Sequence, residues 1–427
     1  MKIPTLFLPG SKSITNRALL LATLSGEPCL LKNPLESDDT YYMSQVLSSL
    51  GVKIIKETYF CPKSQREFPQ WQVQGFKDFS FLKNKEFDFF IGNAGTTIRF
   101  LTPFLAFLKG GTYILRGEER MHQRPIKDLV DPLIKAGAQI QYLEKEGYPP
   151  LKITGANLLI KEIEVDASKS SQYLSALLMT LLHFNPHVCI KASALVSKPY
   201  IDTTLEIMQI FGLLVKNQNY QVFSKASGFY QGKNYTIPAD ASSASYFFAG
   251  AFLLNQPLKL NLGSQCLQGD FLFTEILREM GGIFELSKEE SLFLSRKSNF
   301  LGITVDMNAI PDTVQTLATL ALFAQSPTQI LNVENLRIKE TDRLLALENE
   351  LIRLGASVAT GIDFIHIRPA QGFYYYPATI QTYQDHRMAM SFALAQLKIP
   401  QLVIENPQVV SKSFANFWDV WESFKAN

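Results

Sequence analysis

Residues 43–55 read MSQVLSSLGVKII, and this stretch decides the fold. Met43, Val46, Leu47 and Leu50 recur at helical spacing, Gly51 supplies a left-handed stop, and VKII is β-rich. The same helix-stop-strand text returns as LIKAGAQI from Leu133, IMQIFGLLV from Ile207, ILREMGGIF from Ile276 and ELIRLGASV from Glu350. The stop glycines are Gly51, Gly137, Gly212, Gly281 and Gly355, spaced 86, 75, 69 and 74 residues apart. Solenoid repeats run to about 20–50 residues, so each copy is expected to be a small α/β unit of its own. A sixth helix, FANFWDVWESFKAN, starts near Phe414, and the apolar residues 3–8 before Pro9 and Gly10 are expected to supply its strand. The count is then six units, three per domain. One domain, residues 11–238, is inserted into a second formed by residues 1–10 and 239–427, which holds both termini.

A length of 427 residues exceeds one ordinary hydrophobic core, which agrees with two domains. Apolar residues at 46% and 31 phenylalanines are those of a globular chain. The formal net charge of +2 excludes binding of nucleic acid by bulk phosphate neutralisation, so any anionic ligand must be met locally. Cys29, Cys61, Cys189 and Cys266 are widely spaced without a CxxC pair, which indicates neither a zinc cluster nor a disulfide framework. No apolar run reaches the roughly 18 residues that a membrane span needs, and the first residues are too short for a signal-peptide core. The expectation is a soluble, cytoplasmic protein without a metal.

Seven polar strings stand immediately before long apolar helical runs. They are GSKSITNR, GNAGTTIR, SKSSQ, DASSAS, IPDTVQ, KETDR and YQDHR. Singly, each reads as a helix cap. Collectively they place Lys12, Arg17, Arg99, Lys339, Arg343 and Arg387 at or just before helix starts, where the dipole disfavours cations unless an anion sits in front. Several arginines point to carboxylate and phosphate ligands, because guanidinium grips either in a two-pronged way. Arg120 and Arg124 in GEERMHQRPI and Lys198 in VSKPYID add to the set, although a lone cation more often marks solvated surface. Asp312 and Glu340, each next to a cation or a turn, are the acid-base candidates, against the plainer readings of an N-cap and a first-turn acid. PGSKS lacks the upstream glycine of a P-loop, and no HExxH, EF-hand or GxSxG string is present.

Read together, PGSKSITNRALLLATL, SDD at Ser37 to Asp39, GNAGTTIR, RMHQRPI, SSQYLSALLM, SKPYIDTTL, DASSASYF, IPDTVQTLA, IKETDRL, DHRMAM and KSF at Lys412 resemble the 5-enolpyruvylshikimate-3-phosphate synthase family of enolpyruvyl transferases, in family order. The resemblance implies an α/β (α+β) fold of two domains, each of three βαβαββ units with pseudo-threefold symmetry, an inside-out α/β barrel with the active site in the interdomain cleft. It implies transfer of the enolpyruvyl group of phosphoenolpyruvate to the 5-hydroxyl of shikimate 3-phosphate, with no cofactor and no metal, by a monomer acting without nucleic acid or membrane.

Carried onto this chain, the resemblance gives shikimate 3-phosphate to Lys12, Ser13, Arg17, Ser170, Ser171, Gln172, Ser197, Tyr200, Asp312, Asn335 and Lys339. It gives phosphoenolpyruvate to Lys12, Gly95, Arg124, Gln172, Arg343, Arg387 and Lys412. Asp312 is implied as base, Glu340 as acid and then base at C3, and Lys12 as the balancing charge. Phe100 stands where some members have proline, Lys169 adds a cation beside the serine pair, and Leu336 replaces a frequent aromatic. Two other readings are a UDP-N-acetylglucosamine enolpyruvyl transferase and a binding-only homologue. The sister enzyme's usual loop cysteine is missing near GEERMHQRPI, and the presence of Asp312, Glu340 and the matched cations speaks against an inactive protein.

Overall fold

All five stop glycines adopt the backbone that the helix-stop-strand text requires. In the computed structural model, which describes residues 3, 5–62, 64–297 and 299–426, φ is +95° at Gly51, +101° at Gly137 and Gly212, +103° at Gly281 and +110° at Gly355. A β-carbon is strained there, so glycine ends each helix at least cost. The helices before the stops are Asp38–Ser49, Lys127–Lys135, Lys198–Ile210, Phe273–Glu279 and Arg343–Leu354. The strands after them are Lys53–Cys61, Gln139–Tyr142, Leu213–Gln218, Gly282–Leu286 and Ser357–Thr360.

Each of those strands turns back on an antiparallel partner inside a four-stranded sheet, and the five sheets share one order. In one of them Glu86–Phe90 pairs in parallel with Thr112–Arg116, and Leu151–Thr154 lies antiparallel between Thr112–Arg116 and Gln139–Tyr142. A parallel pair needs a crossover, which the helix Gly95–Phe107 supplies, whereas the antiparallel pair needs only a turn. The unit therefore reads strand, helix, strand, helix, strand, strand.

By its contacts the chain divides into two compact units, Gly10–Pro238 and the residues up to Pro9 together with those from Ala239 onward. Within Gly10–Pro238, the first sheet takes its outer strand from the far end of the segment: Asn234–Thr236 pairs in parallel with Pro28–Lys32. That pairing closes the unit on itself, and Ser11 N–H donates to the Pro238 carbonyl at 2.8 Å beside it.

The N-terminal strand does not complete the sixth unit as expected. Thr5–Leu6 pairs in parallel with Lys259 and Leu260, in the sheet that also holds Gly282–Leu286 and Ser291–Arg296. The helix that crosses from this strand to its parallel neighbour is Ala241–Leu254, and Asp240 N–H donates to the Pro9 carbonyl at 3.0 Å. Residues 10–238 are thus inserted between a strand and its own crossover helix. Among the described residues, the sixth unit has Thr379–Ile380 and Val403–Ile404, paired in parallel, with the helices His386–Gln396 and Phe417–Lys425.

Two kinds of helix result. Lys12–Ser25, Gly95–Phe107 and Ser171–Phe184 in one unit, and Ala241–Leu254, Val314–Leu320 and His386–Gln396 in the other, are buried along nearly their whole length. A helix that is apolar on every side belongs in a core. The helices ending on stop glycines bury one face only. Phe247 shows how the second unit is sealed: its ring meets those of Phe414, Phe417, Trp421 and Phe424, tying Phe417–Lys425 to Ala241–Leu254. Each such buried ring contributes on the order of 2 kcal/mol. All seven polar strings lie at the starts of helices. Among the described residues no helix is long and apolar enough to cross a membrane.

Candidate functional site

In the unit Gly10–Pro238, Lys12, Gly95, Arg99, Arg124, Ser170 and Gln172 gather around the start of Gly95–Phe107. Lys12, first residue of its helix, places Nζ 3.2 Å from Asp39 Oδ2, and Asp39 is almost fully buried. The Asp39 carbonyl accepts the Thr97 hydroxyl at 3.1 Å. Next to Thr97, the Thr96 hydroxyl accepts from Gln172 Nε2 at 3.1 Å, while Gln172 Oε1 accepts from Arg99 Nη1 at 2.7 Å. Arg99 Nη1 also reaches Ser170 Oγ at 3.5 Å, and its guanidinium lies 5.3 Å from the Tyr173 ring centre. Ser170 caps Ser171–Phe184, accepting from Gln172 N–H at 3.3 Å.

Arg124 and Gly95 meet at the same helix start. Arg124 Nη1 donates to the Asn93 carbonyl at 3.0 Å and to Asn93 Oδ1 at 2.9 Å. The carbonyl of Pro125, beside it, accepts the Tyr173 hydroxyl at 2.6 Å. Lys169, the added cation, pairs with Asp128 at 2.9 Å rather than with the serines.

Arg17 is 1% exposed and its neighbours are neutral. Nε donates to Thr204 Oγ1 at 2.8 Å, Nη1 to the Ser13 carbonyl at 3.0 Å, and Nη2 to Ser175 Oγ at 3.3 Å and the Tyr200 carbonyl at 3.5 Å. Phe100, the departure from proline, puts its ring 5.2 Å from the guanidinium. Burial pushes the Arg17 pKa down to about 10. A buried cation so disfavoured gains from an anion brought to it. Arg17 and Arg99 lie in the second turn of their helices, not the first, because Lys12–Ser25 and Gly95–Phe107 begin earlier than the apolar runs suggest. Ser13 Oγ is covered without a hydrogen-bond partner. Ser171 and Ser197 are buried, Ser197 in a left-handed conformation at the start of Lys198–Ile210. Lys198 is exposed, over the Tyr220 ring at 5.4 Å.

The second unit carries its own cluster, built on three carboxylates and four cations. Asp312 is met by Arg387 Nη2 at 2.9 Å, Arg343 Nη1 at 3.2 Å and Lys339 Nζ at 3.7 Å. Glu340 accepts from Arg343 Nη2 at 2.8 Å through Oε2 and lies 3.4 Å from Lys412 Nζ through Oε1. Asp385 takes the remaining edge of Arg343, with Oδ2 2.7 Å from Nε. Asn335 is 7% exposed with Oδ1 covered and without a hydrogen-bond partner, and Leu336 beside it is core.

The plainer readings of the two acids fail here. Thr313, not Asp312, stands at the N-cap of Val314–Leu320, and Glu340 precedes the helix Arg343–Leu354, whose cap is Asp342. Burial alone lowers the pKa of Arg343, but Asp385, Glu340 and Asp312 outweigh it and hold the group well above its usual value. Arg387 behaves alike: burial opposes, and Asp312 with other anionic groups wins. Arg387 also donates to the Tyr246 hydroxyl at 3.3 Å, and burial pushes that phenol up to about 12 against the pull of Arg387. Asp39, Asn93, Thr96, Tyr246 and Asp385 have no assigned role in the sequence reading. For Asp385 a signal was present, an Asp at a helix cap two residues before an arginine, and for Asp39 an acid in a helix first turn.

In each unit, helix starts gather guanidinium and ammonium groups, and such groups are suited to carboxylate and phosphate ligands. The family model described as EPSP synthase (3-phosphoshikimate 1-carboxyvinyltransferase) matches residues 4–421. A 3-phosphoshikimate 1-carboxyvinyltransferase of Mannheimia succiniciproducens is 43% identical over 424 residues, covering 97% of this chain and 95% of that protein. One from Photobacterium profundum is 42% identical over 416 residues, covering 96% and 94%. An EPSP synthase structure from Acinetobacter baumannii superposes with a TM-score of 0.75 at 23% identity, over 99% of this chain and 97% of that one, a likeness of fold. The chain belongs to the EPSP synthase family.

Proposed function

We propose that this chain is the enzyme that its family defines: it transfers the 1-carboxyvinyl group of phosphoenolpyruvate to the 5-hydroxyl of shikimate 3-phosphate and releases phosphate, in aromatic amino-acid biosynthesis. The observation that carries the reading, within a chain of this family, is that Asp312 and Glu340 share Arg343 inside one cationic cluster. Two carboxylates that are held apart by cations can take separate proton-transfer roles.

In the addition step the substrate hydroxyl loses its proton to Asp312, its oxygen bonds to C2 of phosphoenolpyruvate, and C3 receives a proton from Glu340. In the elimination step the bond from C2 to the phosphate oxygen breaks, phosphate leaves with the proton that Asp312 took from the hydroxyl, and Glu340 recovers a proton from the methyl group. Arg124, Arg343, Arg387, Lys412 and Gly95 hold phosphoenolpyruvate. Arg17, Ser13, Ser170, Ser171, Ser197, Tyr200, Asn335 and Lys339 hold shikimate 3-phosphate, and Lys12 and Gln172 serve both. Two anions that repel in water are thereby placed side by side at little entropic cost. The same reading has the protein acting in the cytoplasm and as a monomer.

The test is phosphate release from EDTA-treated protein given phosphoenolpyruvate with shikimate 3-phosphate, and in parallel with UDP-N-acetylglucosamine. Release with shikimate 3-phosphate alone is expected. Release only with the sugar nucleotide moves the substrate, and binding of both substrates without release makes the chain a binding module.

A further inference from the structure

Asp385 has no part in the chemistry above, yet its side chain is fully buried. Its two oxygens take one edge of Arg343, Oδ2 accepting from Nε at 2.7 Å and Oδ1 from Nη2 at 3.4 Å. Oδ1 also accepts the backbone N–H of Arg387 at 2.9 Å, which caps the helix His386–Gln396. One carboxylate thus ties the guanidinium of Arg343 and the backbone from which Arg387 projects.

Arginine carries about 2 kcal/mol of rotamer entropy. A group locked before the ligand arrives does not spend binding energy on being ordered. Charge matters as well. Arg343 is 1% exposed, and its other contacts are Asp312 at 3.2 Å and Glu340 at 2.8 Å. Without Asp385, a buried guanidinium would draw these two acids closer, and they are the groups needed for proton transfer.

We infer that Asp385 is a positioning residue for phosphoenolpyruvate, holding Arg343 and Arg387 in one arrangement and leaving Asp312 and Glu340 available to the substrates. The inference rests on the proposed assignment of Arg343 and Arg387 to phosphoenolpyruvate.

Asp385→Asn separates this role from helix capping, because asparagine caps as well as aspartate but brings no charge to Arg343. The expected result is a KM for phosphoenolpyruvate raised about tenfold or more, with a smaller change in the KM for shikimate 3-phosphate and an unchanged circular dichroism spectrum. An unchanged KM for phosphoenolpyruvate overturns the inference. Equal rises in both KM values with a lower melting temperature overturn it too, since that is the signature of a general loss of stability. Arg343→Gln and the double variant Arg343→Gln/Asp385→Asn complete the cycle and cover the case in which the single variant does not fold. In the Arg343→Gln background the second change is expected to add nothing to the loss in kcat/KM for phosphoenolpyruvate, and a full additive loss overturns the positioning role. If Arg343→Gln itself leaves phosphoenolpyruvate kinetics untouched, the underlying site assignment fails instead.

Discussion

Arg124 lies so close against Gly95 that no side chain fits between them: a β-carbon at position 95 would stand 2.4 Å from Nη2 and 2.6 Å from Cζ. The arginine is already committed to Asn93 through Nη1, so moving aside breaks two hydrogen bonds at 2.9 and 3.0 Å. Gly95→Ala is therefore expected to raise the KM for phosphoenolpyruvate about tenfold or more, with a modest fall in melting temperature from the lost hydrogen bonds to Asn93. Steady-state kinetics with each substrate varied in turn check this, and an unaltered KM removes Arg124 from phosphoenolpyruvate binding.

Glu340 is 7% exposed and lies between Arg343 and Lys412. Glu340→Gln preserves shape and abolishes proton transfer. Turnover is expected to fall by about 10²- to 10⁴-fold, while calorimetric affinity for shikimate 3-phosphate stays as in the parent, since no contact with that substrate is assigned to Glu340. Near-normal turnover takes Glu340 out of the mechanism.

His183 stacks on Tyr230 with ring centres 5.4 Å apart and meets Phe184 edge-on at 4.9 Å. Burial, reinforced by Lys225, pushes its pKa down to about 4 from 6.5. The unfolded chain takes up this proton near pH 6.5 while the folded protein resists until about 4, so stability is complete above the window and falls as pH drops through it. The slope from this residue approaches about 1.4 kcal/mol per pH unit. Urea midpoints at pH 7 and pH 5 are expected to differ more for the parent than for His183→Phe, which stacks but does not titrate. Equal differences would show that His183 contributes nothing to acid sensitivity.

Gly137 and Gly212 share φ of +101°, but a β-carbon at Gly137 meets nothing within 4 Å, whereas at Gly212 it meets the Phe229 carbonyl oxygen at 2.8 Å. Gly137→Ala is expected to cost about 1 kcal/mol from backbone strain alone, and Gly212→Ala more. Neither stop touches a residue with an assigned role, so kinetic constants should hold. Denaturant unfolding of the two variants side by side checks the order.

Much of the fold was legible because its grammar is local. A helix that must end and become a strand needs a left-handed residue at the joint, and Gly51, Gly137, Gly212, Gly281 and Gly355 declare that requirement within a few neighbouring residues. The polar strings were legible for a similar reason: each helix start is written beside the apolar run it begins. The N-terminal strand was misassigned because strand pairing is not local. Thr5–Leu6 finds its partner at Lys259 and Leu260, across the whole inserted segment, and nothing in residues 3–8 names that sheet.

The sequence by itself determined which kinds of groups would be available: arginines and lysines at helix starts, two acids among them, and a string order that identifies the family. Only the tertiary structure decided who meets whom. Asp312 lies 75 residues from Arg387, and Asp385 lies 42 from Arg343. It also decided that Arg17 would be enclosed by hydroxyls, carbonyls and the Phe100 ring. Charge pairing depends on distances of a few ångströms between elements that dock independently, and in a buried site those distances set both the strength of each pair and the orientation of the groups left to face substrate.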